Sequence, residues 1–320
     1  MCIRNLVSVK YSGLFLTILA SVAVAAAQPY AYVSNTMGNT VSVVNQATNT
    51  VSANIPITAG GLSGLAMTPN GAYVYVTEES KELVAVISTA SNSVVGTIAV
   101  GSGPIQVAFT PNGAWAYVLN ELSYTVSVIN TATEAVVATI PVGTKPVGLA
   151  ITPDGTRVLV SNLLSSDISV ISTASNTVTA TWTTLSGPSG IAVSGNNVYV
   201  ANEYGNALTV LNLATGNTLS TVTGFAGPNA VAVTPNGKQI YVTNASSSTV
   251  WAINAATLAI EAKIPTGLMP TSVVVSADGT TVYVTNGYGF SITEISTATN
   301  TVIETMAKVG VYPFSIALFQ

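Results

Sequence analysis

The chain contains no histidine, which excludes Ser-His-Asp catalysis and His-ligated zinc or haem. Acid–base chemistry must therefore rest on its twelve carboxylates. Six of them, Glu78, Glu79, Glu82, Glu121, Asp167 and Glu203, follow closely on a recurring strand ending, with Lys81 and Lys145 as the only opposing cations there. Tyr124 and Tyr204 lie among these acids, and Tyr288 and Phe290 hold the corresponding place near the C-terminus. Such a set can do three things. A carboxylate can act as a general base, taking the proton of an attacking water. Carboxylate and amide oxygens can hold a hard cation such as calcium, although no EF-hand-like spacing is present. Tyrosines can anchor a glycan or peptide through rings that are apolar in the body and polar at the tip.

The element that presents these residues is written repeatedly. "AYVSN" ends at Asn35, "VLVSN" at Asn162, "VYVAN" at Asn202, "IYVTN" at Asn244 and "VYVTN" at Asn286. With Glu78 and Asn120 the phrase has seven copies, spaced 40–43 residues apart. A strand-like repeat of that period signals a propeller or solenoid. Asn suits a strand end because its side chain bonds nearby backbone and tolerates turn conformations, so a ring of Asn is expected to cap equivalent turns. Glu78 alone departs from that ring, which makes it a candidate base near the mouth of a central funnel.

Each copy reads as four short strands. In the fourth they are "VGLAIT" (147–152), "RVLVSN" (157–162), "ISVIST" (168–173) and "TVTATWTT" (177–184), with Asp154-Gly155 making the first hairpin. Asn-Gly or Asp-Gly recurs there at 70–71, 112–113, 236–237 and 278–279, a strong hairpin signal. No sustained 3.6-residue apolar period appears, so almost no helix is expected. "PFSIALF" (313–319) is a first strand without a successor, whereas "YAYVSN" (30–35) is a second strand without a predecessor. Pairing the two completes one blade and closes a seven-bladed, all-β propeller of four-stranded antiparallel blades. Small residues at 66, 108, 150, 192, 232, 274 and 317 fit the convergence of blades on the axis. Gln106 is the one long side chain at its inner-strand level.

"YVTN", "STVWAIN" and the Pro-Asn-Gly hairpins resemble the YVTN-type β-propeller repeat family of exported and surface-layer prokaryotic proteins. The likeness covers nearly all of the chain after its first residues, departing at Glu78 and at Leu159, where Tyr is usual. It implies a propeller. It says less about activity, because propellers host lactone hydrolases, quinone-dependent enzymes and binding proteins alike.

Arg4 and Lys10 precede the uncharged run "LFLTILASVAVAAA" (14–27), the layout of a secretory signal peptide. Residues 1–27 are read as a cleaved leader and 28–320 as one propeller domain, exported to the periplasm, cell surface or medium, with no transmembrane segment in the mature chain. Cys2, the single cysteine, goes with the leader, so no disulfide is available. Without the leader six basic residues face twelve acidic ones, too few for a nucleic-acid-binding stripe. The reading favoured by the sequence is an exported, non-catalytic binding or structural protein. It would contact a surface macromolecule or glycan through Glu78, Glu79, Glu121, Tyr124, Asp167, Glu203, Tyr204, Tyr288 and Gln106. No cofactor is expected, calcium being the one ion the donors suit. The alternative is a funnel-site enzyme resembling propeller lactonases or quinone-dependent dehydrogenases.

Overall fold

The computed structural model describes residues 30–58 and 60–319, and the leader expected over 1–27 lies outside them. Twenty-eight strands form seven four-stranded antiparallel sheets. Blade 1 is ordered Pro313–Leu318, Tyr30–Asn35, Thr40–Asn45, Thr50–Pro56, so the C-terminal strand pairs with the first N-terminal one, as expected. In that pairing Ala31 stands opposite Leu318 and Val33 opposite Ile316. Blades 2 to 7 follow in chain order over 62–99, 104–141, 146–183, 188–223, 228–265 and 270–307. Each inner strand packs against the inner strands of both neighbours, which closes the ring around an axis. The described residues hold no α-helix, only the 3-10 turn Glu79–Lys81.

The repeated phrase serves two kinds of bond. Its Tyr reaches across to the next blade: the Tyr32 hydroxyl donates to Asn92 Oδ1 (2.6 Å), Tyr117 to Asn176 (3.1 Å) and Tyr241 to Asn300 (2.6 Å). The three acceptors occupy the same left-handed corner of the outer hairpin, with φ near 50°, a conformation Asn tolerates better than most side chains. Burial raises the phenol pKa of Tyr32 and Tyr117 to about 12, so these donors keep their protons. The Asn of the phrase works within its own blade. Asn120 Nδ2 donates to Thr125 Oγ1 (3.1 Å) and Ser127 Oγ (2.9 Å) on the third strand, and Asn35, Asn162 and Asn286 repeat the pattern. All six ring asparagines are fully buried. At four of them a connector glycine packs directly above: a Cβ on Gly101 would meet Asn120 Nδ2 at 2.6 Å, and Gly143, Gly267 and Gly310 stand likewise over Asn162, Asn286 and Asn35. The ring therefore pins strands beneath the turns and is closed to ligands.

Close approach explains the small inner-strand residues. A Cβ on Gly64 would lie 2.8 Å from Gln106 Cα of the next blade, so smallness there is a packing requirement. One level further along, Ala66, Ala108, Val274 and Ala317 border a well of about 520 Å³ at the hairpin end of the axis.

Candidate functional site

The residue after each ring member marks the other end of the axis. Its backbone N–H donates to the connector that feeds an inner strand: Glu79 to Gly61 (3.0 Å), Glu121 to Gly103 (2.7 Å), Leu163 to Lys145 (2.9 Å) and Glu203 to Gly187 (2.7 Å). These bonds hold seven equivalent side chains at the mouth of the funnel. In blades 2, 3 and 5 the side chain is a carboxylate. In the others it is Thr36, Leu163, Ala245 or Gly287. Glu79 Oε2 accepts from Ser63 Oγ of the inner strand (3.4 Å).

Lys145 sits among these acids. Its Nζ lies 3.4 Å from Glu121 Oε1, the one salt bridge among the described residues. It also bears on Glu203. Burial pushes the Glu203 carboxyl above the ordinary glutamate value, and the charge of Lys145 pulls partly against that. The backbone at Lys145 is left-handed (φ 56°). The equivalent connector position is glycine at Gly61, Gly103, Gly187 and Gly227. A lysine at a position that suits glycine is a local cost, and the cost places an ammonium between two carboxylates. In the sequence Lys145 stands out only as a counter-charge; the signal of its place is the glycine at the same point of four other repeats, Gly61, Gly103, Gly187 and Gly227.

The remaining candidates separate. Tyr204 is half exposed and lies over Gly187, beside Glu203. Tyr288 meets Tyr312 edge-to-face at 5.2 Å on the blade 7 side of the mouth. Tyr124 and Phe290 stand at left-handed turn corners (φ 56° and 51°) with their rings exposed. Asp167 is structural: its Oδ1 accepts from the buried Asn162 amide (2.6 Å). Gln106 lies on the inner strand against Gly64, its Oε1 buried and unpartnered.

Glu78 does not open on the funnel as expected. It is buried (3% exposed) behind the turn, facing Gly60 and Lys81, with Oε2 unpartnered. The third-strand partners that serve Asn elsewhere are Leu83 and Ala85 here, so the carboxyl has nothing to bind. Burial raises its pKa, and Lys81 opposes the shift only in part. With the folded value above the unfolded one, the protein is spared the cost of burying charge below the ordinary glutamate pKa. That advantage is lost as pH rises through the folded value. Glu78→Gln is therefore expected to raise the melting temperature at pH 7 and leave it unchanged at pH 4. Equal destabilisation at both pH values would contradict this.

The cavities open at the hairpin end of the ring. A second hairpin-end pocket, about 530 Å³, opens between blades 2 and 3 and contains Glu134 as its one charged group. Among the described residues no three acidic side chains converge closely enough to hold a metal ion. The mouth between blades 3 and 5 is the place where carboxylates, an ammonium and an aromatic ring meet on strained backbone, and we take it as the candidate site.

The family model for seven-bladed β-propeller lactonases matches residues 89–213. That stretch is less than half of the chain, yet it contains Gln106, Glu121, Lys145, Asp167, Glu203 and Tyr204. No curated protein matches the chain by sequence. Among solved structures, a functionally unknown protein from Desulfotomaculum acetoxidans is similar with a TM-score of 0.80 and 20% identity, covering 91% of this chain and 98% of the other. Kuenenia stuttgartiensis hydrazine synthase gives 0.77 and 22%, covering 84% and 92%. A putative 6-phosphogluconolactonase from Bacteroides fragilis gives 0.77 and 17%, covering 90% and 97%. At these identities the structures speak for the fold. The favoured sequence reading, a non-catalytic binding or structural protein, is overturned by the lactonase match. That match favours the enzyme alternative over it. Among the described residues no helix is long and apolar enough to cross a membrane.

Proposed function

We propose that the chain is a propeller hydrolase of lactones, acting at the funnel mouth between blades 3 and 5. The observation that carries the reading is the coincidence of the lactonase match, residues 89–213, with the stretch supplying Glu121, Lys145 and Glu203. Glu203 takes a proton from water as the water oxygen bonds to the lactone carbonyl carbon. Its raised pKa makes it a better base than an exposed carboxylate. The Lys145 ammonium faces the oxyanion that develops, and Glu121 holds that ammonium in place (3.4 Å). Collapse of the intermediate breaks the ring C–O bond, and the proton on Glu203 passes to the leaving alkoxide. Tyr204 offers an apolar wall to the ring.

The repeat phrase favours a place among YVTN-type propellers, and the apolar run at 14–27 favours action outside the cytoplasm after the leader is removed.

The test is proton release from a panel of aldonic and aliphatic γ- and δ-lactones by residues 28–320. Turnover should rise with pH through a midpoint above the ordinary glutamate value. Glu203→Gln should lower it by about 10²–10⁴-fold. Absence of turnover on every lactone, or an unaffected Glu203→Gln, would end the proposal.

A further inference from the structure

The seam between blades 7 and 1 breaks the repeat inside the fold, far along the ring from the mouth of blades 3 to 5. At the middle of the third strand six blades carry Val43, Val86, Val128, Val170, Val210 and Ala252. Opposite them on the outer strand stand Ala53, Gly96, Ala138, Ala180, Ser220 and Ala262. Blade 7 replaces these small, uncharged pairs with Glu294 opposite Glu304. Glu294 is buried (5% exposed) and its Oε1 has no partner, while Glu304 reaches the surface.

The neighbouring blade completes the anomaly. Asn49 holds the corner that in Asn92, Asn176 and Asn300 accepts a tyrosine hydroxyl. Here the Asn49 amide donates instead to Glu304 Oε2 (2.7 Å) and Glu294 Oε2 (3.3 Å), and its own Oδ1 is buried without a partner. No lysine or arginine forms a salt bridge with either glutamate among the described residues. Two facing carboxylates and two orphaned oxygens, one of them on a side chain more than nine-tenths buried, form a cluster lacking positive charge. Burial and Glu304 both raise the Glu294 pKa, against the Asn49 hydrogen bond.

We infer that this seam is a binding site for a hard divalent cation of the calcium type, held by Glu294, Glu304 and Asn49 between the last blade and the first. The donors are all oxygen, which selects hard ions. Two carboxylates neutralise a 2+ charge. Turning the Asn49 amide over exchanges its N and O at little cost in shape and brings Oδ1 to the ion. Glu304 supplies the way in from solvent. With three protein ligands and water completing the shell, affinity falls in the weak range of extracellular modules, Kd about 10⁻⁴–10⁻³ M. The ion would tie blade 7 to blade 1.

The experiment is a thermal melt of residues 28–320 in 10 mM CaCl2 against EDTA at matched ionic strength. Calcium is expected to raise the melting temperature by about 3–5 °C. Glu294→Val/Glu304→Ala, which restores the pattern of the other blades, should fold and lose the shift. Glu304→Ala alone, at an exposed position, should also lose most of it. No shift in the unaltered protein, or a shift that survives in either variant, overturns the assignment. Lactone turnover plays no part in the readout, so the two proposals fail separately.

Discussion

Lys145→Gly is expected to reduce lactone hydrolysis by about 10²–10³-fold, the usual cost of losing one oxyanion-stabilising group, without lowering the melting temperature. The two effects part because of where Lys145 sits. Its φ of 56° suits glycine, and four of the equivalent connectors use glycine there, so the substitution relieves a backbone cost of the order of 1 kcal/mol. What it gives up is a salt bridge to Glu121 whose lysine is 40% exposed, and such pairs contribute about 0–1 kcal/mol. Backbone N–H of Leu163 still finds the carbonyl of residue 145 (2.9 Å), so the mouth keeps its shape. Activity assays and melts on the same preparation test this. A variant that melts several degrees lower would make Lys145 a structural residue, and one that keeps full turnover would remove it from the reaction.

Deletion of 313–320 should have the largest effect on stability. Ile316 and Leu318 are almost fully buried and pack with Val33, Ile292 and Met306 across the closing seam. Losing two such side chains from the core costs about 3–6 kcal/mol at roughly 1.5–3 kcal/mol each, against a total stability of about 5–15 kcal/mol. The deletion also strips Tyr30–Asn35 of its partner strand and leaves an unpaired edge at the axis. Loss of the cooperative melt, or aggregation at temperatures where the full chain is stable, is the expected result. A melting temperature within a degree or two of the full chain would mean that the ring does not depend on its closing strand.

The fold was legible because its signals are local and repeated. Asn-Gly and Asp-Gly corners, alternating strands and the unmatched first and last strands each depend on a few adjacent residues, and seven copies average out exceptions such as Leu159. The site was legible only in part. Glu79, Glu121 and Glu203 share one place in the repeat, directly after the phrase, but what that place faces is set by a backbone bond to the connectors at Gly61, Gly103 and Gly187, which no local pattern records. Glu78 misled for the same reason: its meaning depends on Leu83 and Ala85 replacing the usual hydroxyls across the strand. Asp167 looked like a loop acid and is the partner of Asn162. Glu294 and Glu304 depart from the repeat within strands rather than loops, Glu294 being a glutamate in a column otherwise of Val and Ala.

The backbone bonds that hold the mouth have a consequence for how this surface can change. At Thr36, Glu79, Glu121, Leu163, Glu203, Ala245 and Gly287 the backbone N–H is donated to the carbonyl of Tyr312, Gly61, Gly103, Lys145, Gly187, Gly227 or Met269. That bond is indifferent to the side chain, and the seven already range from glycine to glutamate, although Leu163 is buried and a Cβ at Gly287 would meet the Tyr312 ring at 3.0 Å. Where the side chain points outward, as at Glu79, Glu121 and Glu203, the mouth offers separate addresses on one rigid frame. Rewriting one alters the charge and shape met by an incoming molecule while the rest stay in register, so substrate preference and stability can evolve, or be engineered, almost independently.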